Sequence, residues 1–174
     1  MPALPFLKAA HKEFAYYRNL GDRSLAVLSD EELFRIPAPG SNSIAVLVKH
    51  MHGNMMSRWT DFLTTDGEKP WRQRDAEFEE GGLDRAALME RWKDGWNCLE
   101  TALEGLTSAD LTRIVLIRNE PHTVAQAITR QLAHLPYHVG QIVLLAKLYK
   151  GMDFPELSVP RGGSGAFNRQ KGMR

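Results

Sequence analysis

Apolar and polar positions alternate along the chain with helical periods over four stretches. From about Pro5 to Leu28, Phe6, Ala10, Phe14, Tyr17 and Leu20 or Leu25 recur near one face, with Lys12, Glu13 and Arg18 elsewhere. Gly21 allows a break in this helix. A second helix is predicted from Ser41 or Asn42, both good N-cap residues, to about Leu63. A third spans about Leu83 to Leu106, with Leu88, Trp92, Trp96 or Leu99, and Leu103 as its apolar stripe. The fourth starts near Thr123, where Thr123 and Gln126 have capping-box spacing, and stops at Gly151 after Lys150.

The connections differ in character. Phe34–Gly40 reads as a proline-containing connector. Residues 64–82 are polar and turn-rich, which predicts a long loop over the helices, and loops of that length are often functional. Thr112–Arg118 is short and β-branched, a candidate strand or half of a small hairpin before the last helix. The tail after Glu156 is glycine-rich and reads as flexible on composition alone. Four helices so connected predict an all-α, four-helix bundle of one domain, residues 1–174, and the connections alone favour up-down-up-down order.

Composition narrows the function classes. Hydrophobic residues make up 43% and charged residues 25% of 174 residues, an ordinary globular balance. A formal net charge of +1 with scattered basic residues predicts no nucleic-acid partner. A lone Cys98, no basic-then-apolar leader and no long apolar run predict a soluble, cytoplasmic protein with no membrane partner.

The distinctive chemistry is histidine. At about 100° per residue, Ala127, Gln131, His134, His138, Gln141 and Leu145 share a narrow arc of the fourth helix. On the second helix, Leu47, His50, Asn54, Ser57 and Asp61 do the same. Buried imidazoles need partners, and a metal would supply one to His50, His134 and His138 together. Asn54, Ser57, Gln131 and Gln141 would then orient the rings or a bound water. Three neutral nitrogens with an open position suit Zn2+ best and Ni2+ second. Core histidines satisfied by ordinary hydrogen bonds are the alternative. Pro136, between His134 and His138, removes a helical hydrogen bond and predicts a kink. His52 points roughly 160° from His50, and His11 and His122 lie off the two arcs. Cys98 reads as a packing residue, Arg161–Gly165 as flexible tail, and the loop cluster Lys69–Arg74, with Arg72 and Arg74, as solvated.

Three stretches, 49–79, 119–147 and 157–168, resemble a bacterial branch of the DinB/YfiT-like superfamily, and the likeness extends over about residues 5–168. The resemblance implies an up-down-down-up bundle, an ordered tail packed on it, and a homodimer. It also implies a metal held by His50 from the second helix and by His134 and His138 from the fourth, followed by Gly140-Gln141. Relatives include thiol transferases that use low-molecular-weight thiols, a thiol-dependent isomerase and proposed metal-dependent hydrolases. The expected function is therefore a metal-dependent enzyme of thiol-transferase type acting on a small-molecule substrate. A metal-dependent hydrolase is the alternative; its base would have to come from Asp61, Glu79 or Glu120. A non-catalytic metal-binding stress or interaction protein is the third reading, and would require a closed shell of four protein ligands.

Overall fold

The computed structural model describes residues 3–172 and is predominantly helical. Its elements are α1 (Ala3–Ala26), α2 (Asp30–Phe34), α3 (Ile44–Trp59), α4 (Arg85–Glu104), β1 (Ile114–Ile117), β2 (Glu120–Thr123), α5 (Val124–Lys150) and α6 (Ser164–Gln170). Among the described residues, no helix is long and apolar enough to cross a membrane.

The first helix is not broken at Gly21. It runs on to Ala26, because the missing side chain makes room for the Trp92 ring: a Cβ at Gly21 would lie 2.5 Å from Trp92 Cη2. The chain then enters α2, an element not expected from periodicity. Ser29 accepts from the Glu32 amide and Glu32 accepts from the Ser29 amide, a capping box within a five-residue helix.

Helix α3 begins and ends inside its predicted bounds. Its N-cap is Ser43, not Ser41 or Asn42: Ser43 Oγ accepts from the Val46 amide at 3.1 Å and donates to Glu80 Oε2 at 2.9 Å. Thr60 ends the helix in extended backbone, so Leu63 lies outside it. Most side chains from Ile44 to Met51 are buried all round, which makes α3 central rather than amphipathic. It packs against α4 and also touches α5, while α1 lies along α5. The approach of α4 is close because Gly95 faces α3; a Cβ there would sit 2.7 Å from Met55 Cε and 3.2 Å from His52 Cα. Asp84 caps α4, accepting from the Ala87 amide at 2.8 Å, so the helix starts two residues after the predicted Leu83.

The β-branched segment forms half of a hairpin. β1 and β2 pair antiparallel, with Ile117 opposite Glu120. Arg118 and Asn119 form the two-residue turn, both with positive φ, as tight hairpins of this twist require. Val115 and Ile117 face the core and Ile114 and Leu116 face out. The loop after α3 holds the hairpin tip: Asp66 accepts from the amides of Arg118 and Asn119 at 2.8 and 2.7 Å, and the Gly67 amide donates to Leu116 O at 2.8 Å.

Helix α5 has the predicted limits and the Thr123–Gln126 capping box, and continues through Pro136. Gly151, at φ 56°, ends it. The tail is partly structured. Arg23 donates to the carbonyls of Glu156 and Leu157, at 2.6 and 3.3 Å, tying it to α1, and residues 164–170 form α6.

Candidate metal centre

Helices α3 and α5 bring His50, His134 and His138 together, each offering a ring nitrogen within 4.8 Å of the others. The Nε2 atoms converge. That of His134 lies 3.1 Å from His50 Nε2 and 3.2 Å from His138 Nε2. The i, i+4 spacing places the last two rings one turn apart on one face of α5.

The cluster lacks partners for its lone pairs. Glu77 Oε2 lies 2.9 Å from His50 Nδ1. A carboxylate only accepts, so His50 carries a proton on Nδ1, and the neutral ring in that tautomer presents a bare lone pair at Nε2. Gln141 Oε1, also an acceptor, lies 2.9 Å from His138 Nδ1 and fixes the same tautomer there. His134 has one proton for two sites. Its Nδ1 is buried without a partner. With that proton on Nε2, His134 can donate to only one of the two facing lone pairs; with it on Nδ1, three lone pairs face one another. Either way the cluster has more acceptors than protons. A divalent cation fits this donor set, because it accepts all three lone pairs at once.

Burial disfavours the charged form of the two α5 rings. Burial, then the neighbouring imidazoles and Arg72 and Arg58, lower the His134 pKa from 6.5 to about 3. Burial also lowers that of His138, against the Gln141 hydrogen bond. Burial pushes the Glu77 carboxyl upward. The hydrogen bonds from His50 and Arg72, with the Arg72 charge, outweigh it and hold the group below its ordinary range. Arg72 grips Glu77 with Nε on Oε1 at 2.8 Å and Nη2 on Oε2 at 3.0 Å; its side chain is only 2% exposed. Glu77 is thus an ionised anchor with its oxygens already engaged.

Glycine opens the way for Glu77. Gly53 lies one turn after His50 on α3, and a Cβ there would lie 2.6 Å from Glu77 Cδ. The loop carries Glu77 in on a short 3-10 turn, Asp75–Phe78, whose Phe78 ring packs on His50 at 4.8 Å between centroids.

The other polar residues of the two arcs divide. Gln141 reaches His138, as described. Gln131 Nε2 donates to Asn54 Oδ1 at 3.1 Å; this buried pair lines the adjoining pocket beside His50 and His134. Ser57 serves the loop instead: its hydroxyl donates to Gly67 O at 2.8 Å and accepts from the Lys69 amide at 3.2 Å. Asp61, Glu79 and Glu120 are exposed and do not line the pocket. The carboxylate that reaches the cluster is Glu77, and it is engaged by His50 and Arg72 and not free as a base. His11, His52 and His122 lie outside the cluster. Cys98 is half-buried against Thr60, and burial pushes its thiol upward, as a packing role implies.

The pocket beside the cluster has a volume of about 400 Å³. Arg72 and Arg74 both reach it, so the loop cluster is not merely solvated. Arg58 and Arg130 also line it; neither was distinguished from the sequence.

The family model described as "Protein of unknown function (DUF1572)" matches residues 2–163, and the chain belongs to that family. No curated protein matches it. Among solved structures, the crystal structure of a conserved protein from Enterococcus faecalis is similar, with a TM-score of 0.62 and 16% identity. The match covers 83% of this chain and 96% of that one. At that identity the likeness concerns the fold alone.

Two outcomes follow from the site. Gly53→Ala raises helix propensity yet displaces Glu77, so zinc affinity measured by competition with a chromophoric chelator should fall about ten- to a hundredfold while the fold persists. Unchanged affinity would contradict the role given to Glu77. In metal-stripped protein, the unfolded chain protonates His134 below about 6.5, whereas the folded chain resists to about 3. The lowered Glu77 pKa acts in the same direction. Stability should therefore be level above that window and fall on acidification, read as a lower urea midpoint at about pH 5 than at about pH 7. A midpoint that rises would contradict it.

Proposed function

We propose that the protein is a metal-dependent enzyme in which His50, His134 and His138 hold a divalent cation, Zn2+ first and Ni2+ second. The observation that carries this reading is the convergence of three Nε2 atoms, two of them deprotonated by acceptors behind their rings. Three protein donors beside an open pocket suit a reactive site better than a closed structural shell. The long helices α1, α3, α4 and α5 would form an up-down-down-up bundle of the DinB/YfiT-like kind. The pairings of α1 with α5 and α3 with α4 agree with that order.

The reaction we favour is transfer of a low-molecular-weight thiol to an electrophile. When bound, the cation supplies Lewis acidity that favours a thiolate near neutral pH. The chain's own residues do the rest. Glu77 and Gln141 hold the protons of His50 and His138 on Nδ1 and so aim both Nε2 lone pairs at one point. Arg72 keeps Glu77 ionised and immobile. The apolar side of the pocket, including Trp59 and Ile117, limits water around the reacting group.

Hydrolysis needs a base free to take a proton from water. Glu77 is held by Arg72 and His50, with its pKa lowered, and none of Asp61, Glu79 and Glu120 lines the pocket. A thiol, with an ordinary pKa of about 8.5, places a smaller demand on such a base. This favours thiol transfer over hydrolysis.

The zinc-loaded protein should consume a low-molecular-weight thiol in the presence of an aryl halide or epoxide, with His134→Ala at background rate. The assay is loss of free thiol with time across a thiol and electrophile panel. Ester hydrolysis with no thiol consumption would replace this reading with the hydrolase. No turnover of either kind would leave a metal-binding protein without catalysis.

A further inference from the structure

The wall of the pocket is strongly cationic. Among the described residues, five arginines, Arg58, Arg72, Arg74, Arg118 and Arg130, line it, and no carboxylate does. Three of them are tied down from behind. Glu68 lies 3.0 Å from Arg58, 3.6 Å from Arg72 and 3.0 Å from Arg118, and Arg72 also holds Glu77. The other two are not. Among the described residues, Arg130 has no ion pair, and Arg74 has only the fully exposed Asp75 at 3.8 Å.

Arg130 stands one turn before His134 on the same face of α5, about 6 Å along the helix axis. Arg74 crosses from the loop and lies over the Phe78 ring, the ring that packs on His50. Two available guanidiniums thus flank the way to the imidazole cluster. Trp59, Phe62, Val115, Ile117 and Tyr137 supply apolar and aromatic wall between them. The volume, about 400 Å³, suits a small molecule and not a polymer.

We propose that the substrate of this site is a small anionic molecule, with a carboxylate or phosphate head held by Arg74 and Arg130 and an apolar or aromatic body against Trp59 and the hairpin. Arg58, Arg72 and Arg118 raise the local positive potential without giving up Glu68 and Glu77. The head group anchors the molecule, and its reactive end reaches the three imidazoles. This names the substrate class for the enzyme proposed above and rests on that reading for its chemistry. The anion-holding part stands on the arginines alone.

The test is calorimetric titration of the full chain with phenylacetate, phenyl phosphate and the neutral isostere phenylacetamide, on zinc-loaded and metal-stripped protein. At least one anion should bind, the amide much more weakly, and added salt should weaken the anion. The Arg74→Ala/Arg130→Ala double variant should weaken the Kd roughly tenfold or more, and the corresponding lysine variant should recover part of it. Both side chains are exposed, so the variants should keep the fold, checked by circular dichroism. Arginine dependence in metal-stripped protein supports the anion site even if no metal reading survives. Whichever anion binds identifies the head group. Binding of neither anion, equal binding of the amide, or an unchanged Kd in the double alanine variant would overturn the proposal. Anion binding that persists in that variant and vanishes only on metal removal would place the anion on the metal instead, and would overturn it too.

Discussion

Three imidazole nitrogens aimed at one point form the constraint around which the interior is arranged. With nitrogens 3.1 and 3.2 Å apart, and two of them without a proton to share, at least one lone pair is left without a partner unless something positive stands among them. A packed helical core would ordinarily exclude such a group, since buried polar atoms without partners are costly. Here α3 and α5 carry the rings, and α3 is central because its side chains from Ile44 to Met51 are buried, with His50 itself meeting Glu77, Phe78 and the two α5 imidazoles. The carboxylate, amide and guanidinium behind the rings turn an unfavourable cluster into an ordered donor set.

The long loop after α3 is the second requirement. It has to deliver Glu77 to His50, Arg72 to Glu77 and Phe78 to the back of the ring, and it is fastened at several points to do so. Ser57 holds Gly67 and Lys69, Asp66 holds the hairpin tip, and Lys49 donates to the Glu79 carbonyl. Gly53 leaves the gap through which the Glu77 carboxylate reaches the site. The hairpin completes the opposite wall, so the pocket lies between a fastened loop and a two-stranded ribbon, with the imidazoles at one side.

Local rules made much of this legible. The i, i+4 histidines, the capping box at Thr123 and the apolar stripe of α4 are written in short-range spacing, and the structure has them where spacing puts them. The box from Ser29 to Glu32 was equally readable, but its helix is too short to show a period. Tertiary partners were not readable. Ser57 shares the His50 arc yet turns to the loop, because a backbone carbonyl arrives beside it. Glu77 sits in a run of acidic residues that nothing local distinguishes from Glu79 and Glu80. Its nearest signal was indirect: a glycine in mid-helix, one turn from His50, marks the close approach of another group. Arg130 was hidden similarly, as an ordinary helix arginine until the hairpin closed a pocket over it.

Whether the imidazole cluster holds a metal decides what the site can do. The most direct measurement is elemental mass spectrometry of untagged protein, comparing wild type with a His50→Ala/His134→Ala/His138→Ala variant. Near one zinc or nickel per wild-type chain, lost in the variant, is the predicted result. Wild-type protein that retains no metal after reconstitution, or a variant that binds it equally well, would contradict a metal centre at these three histidines.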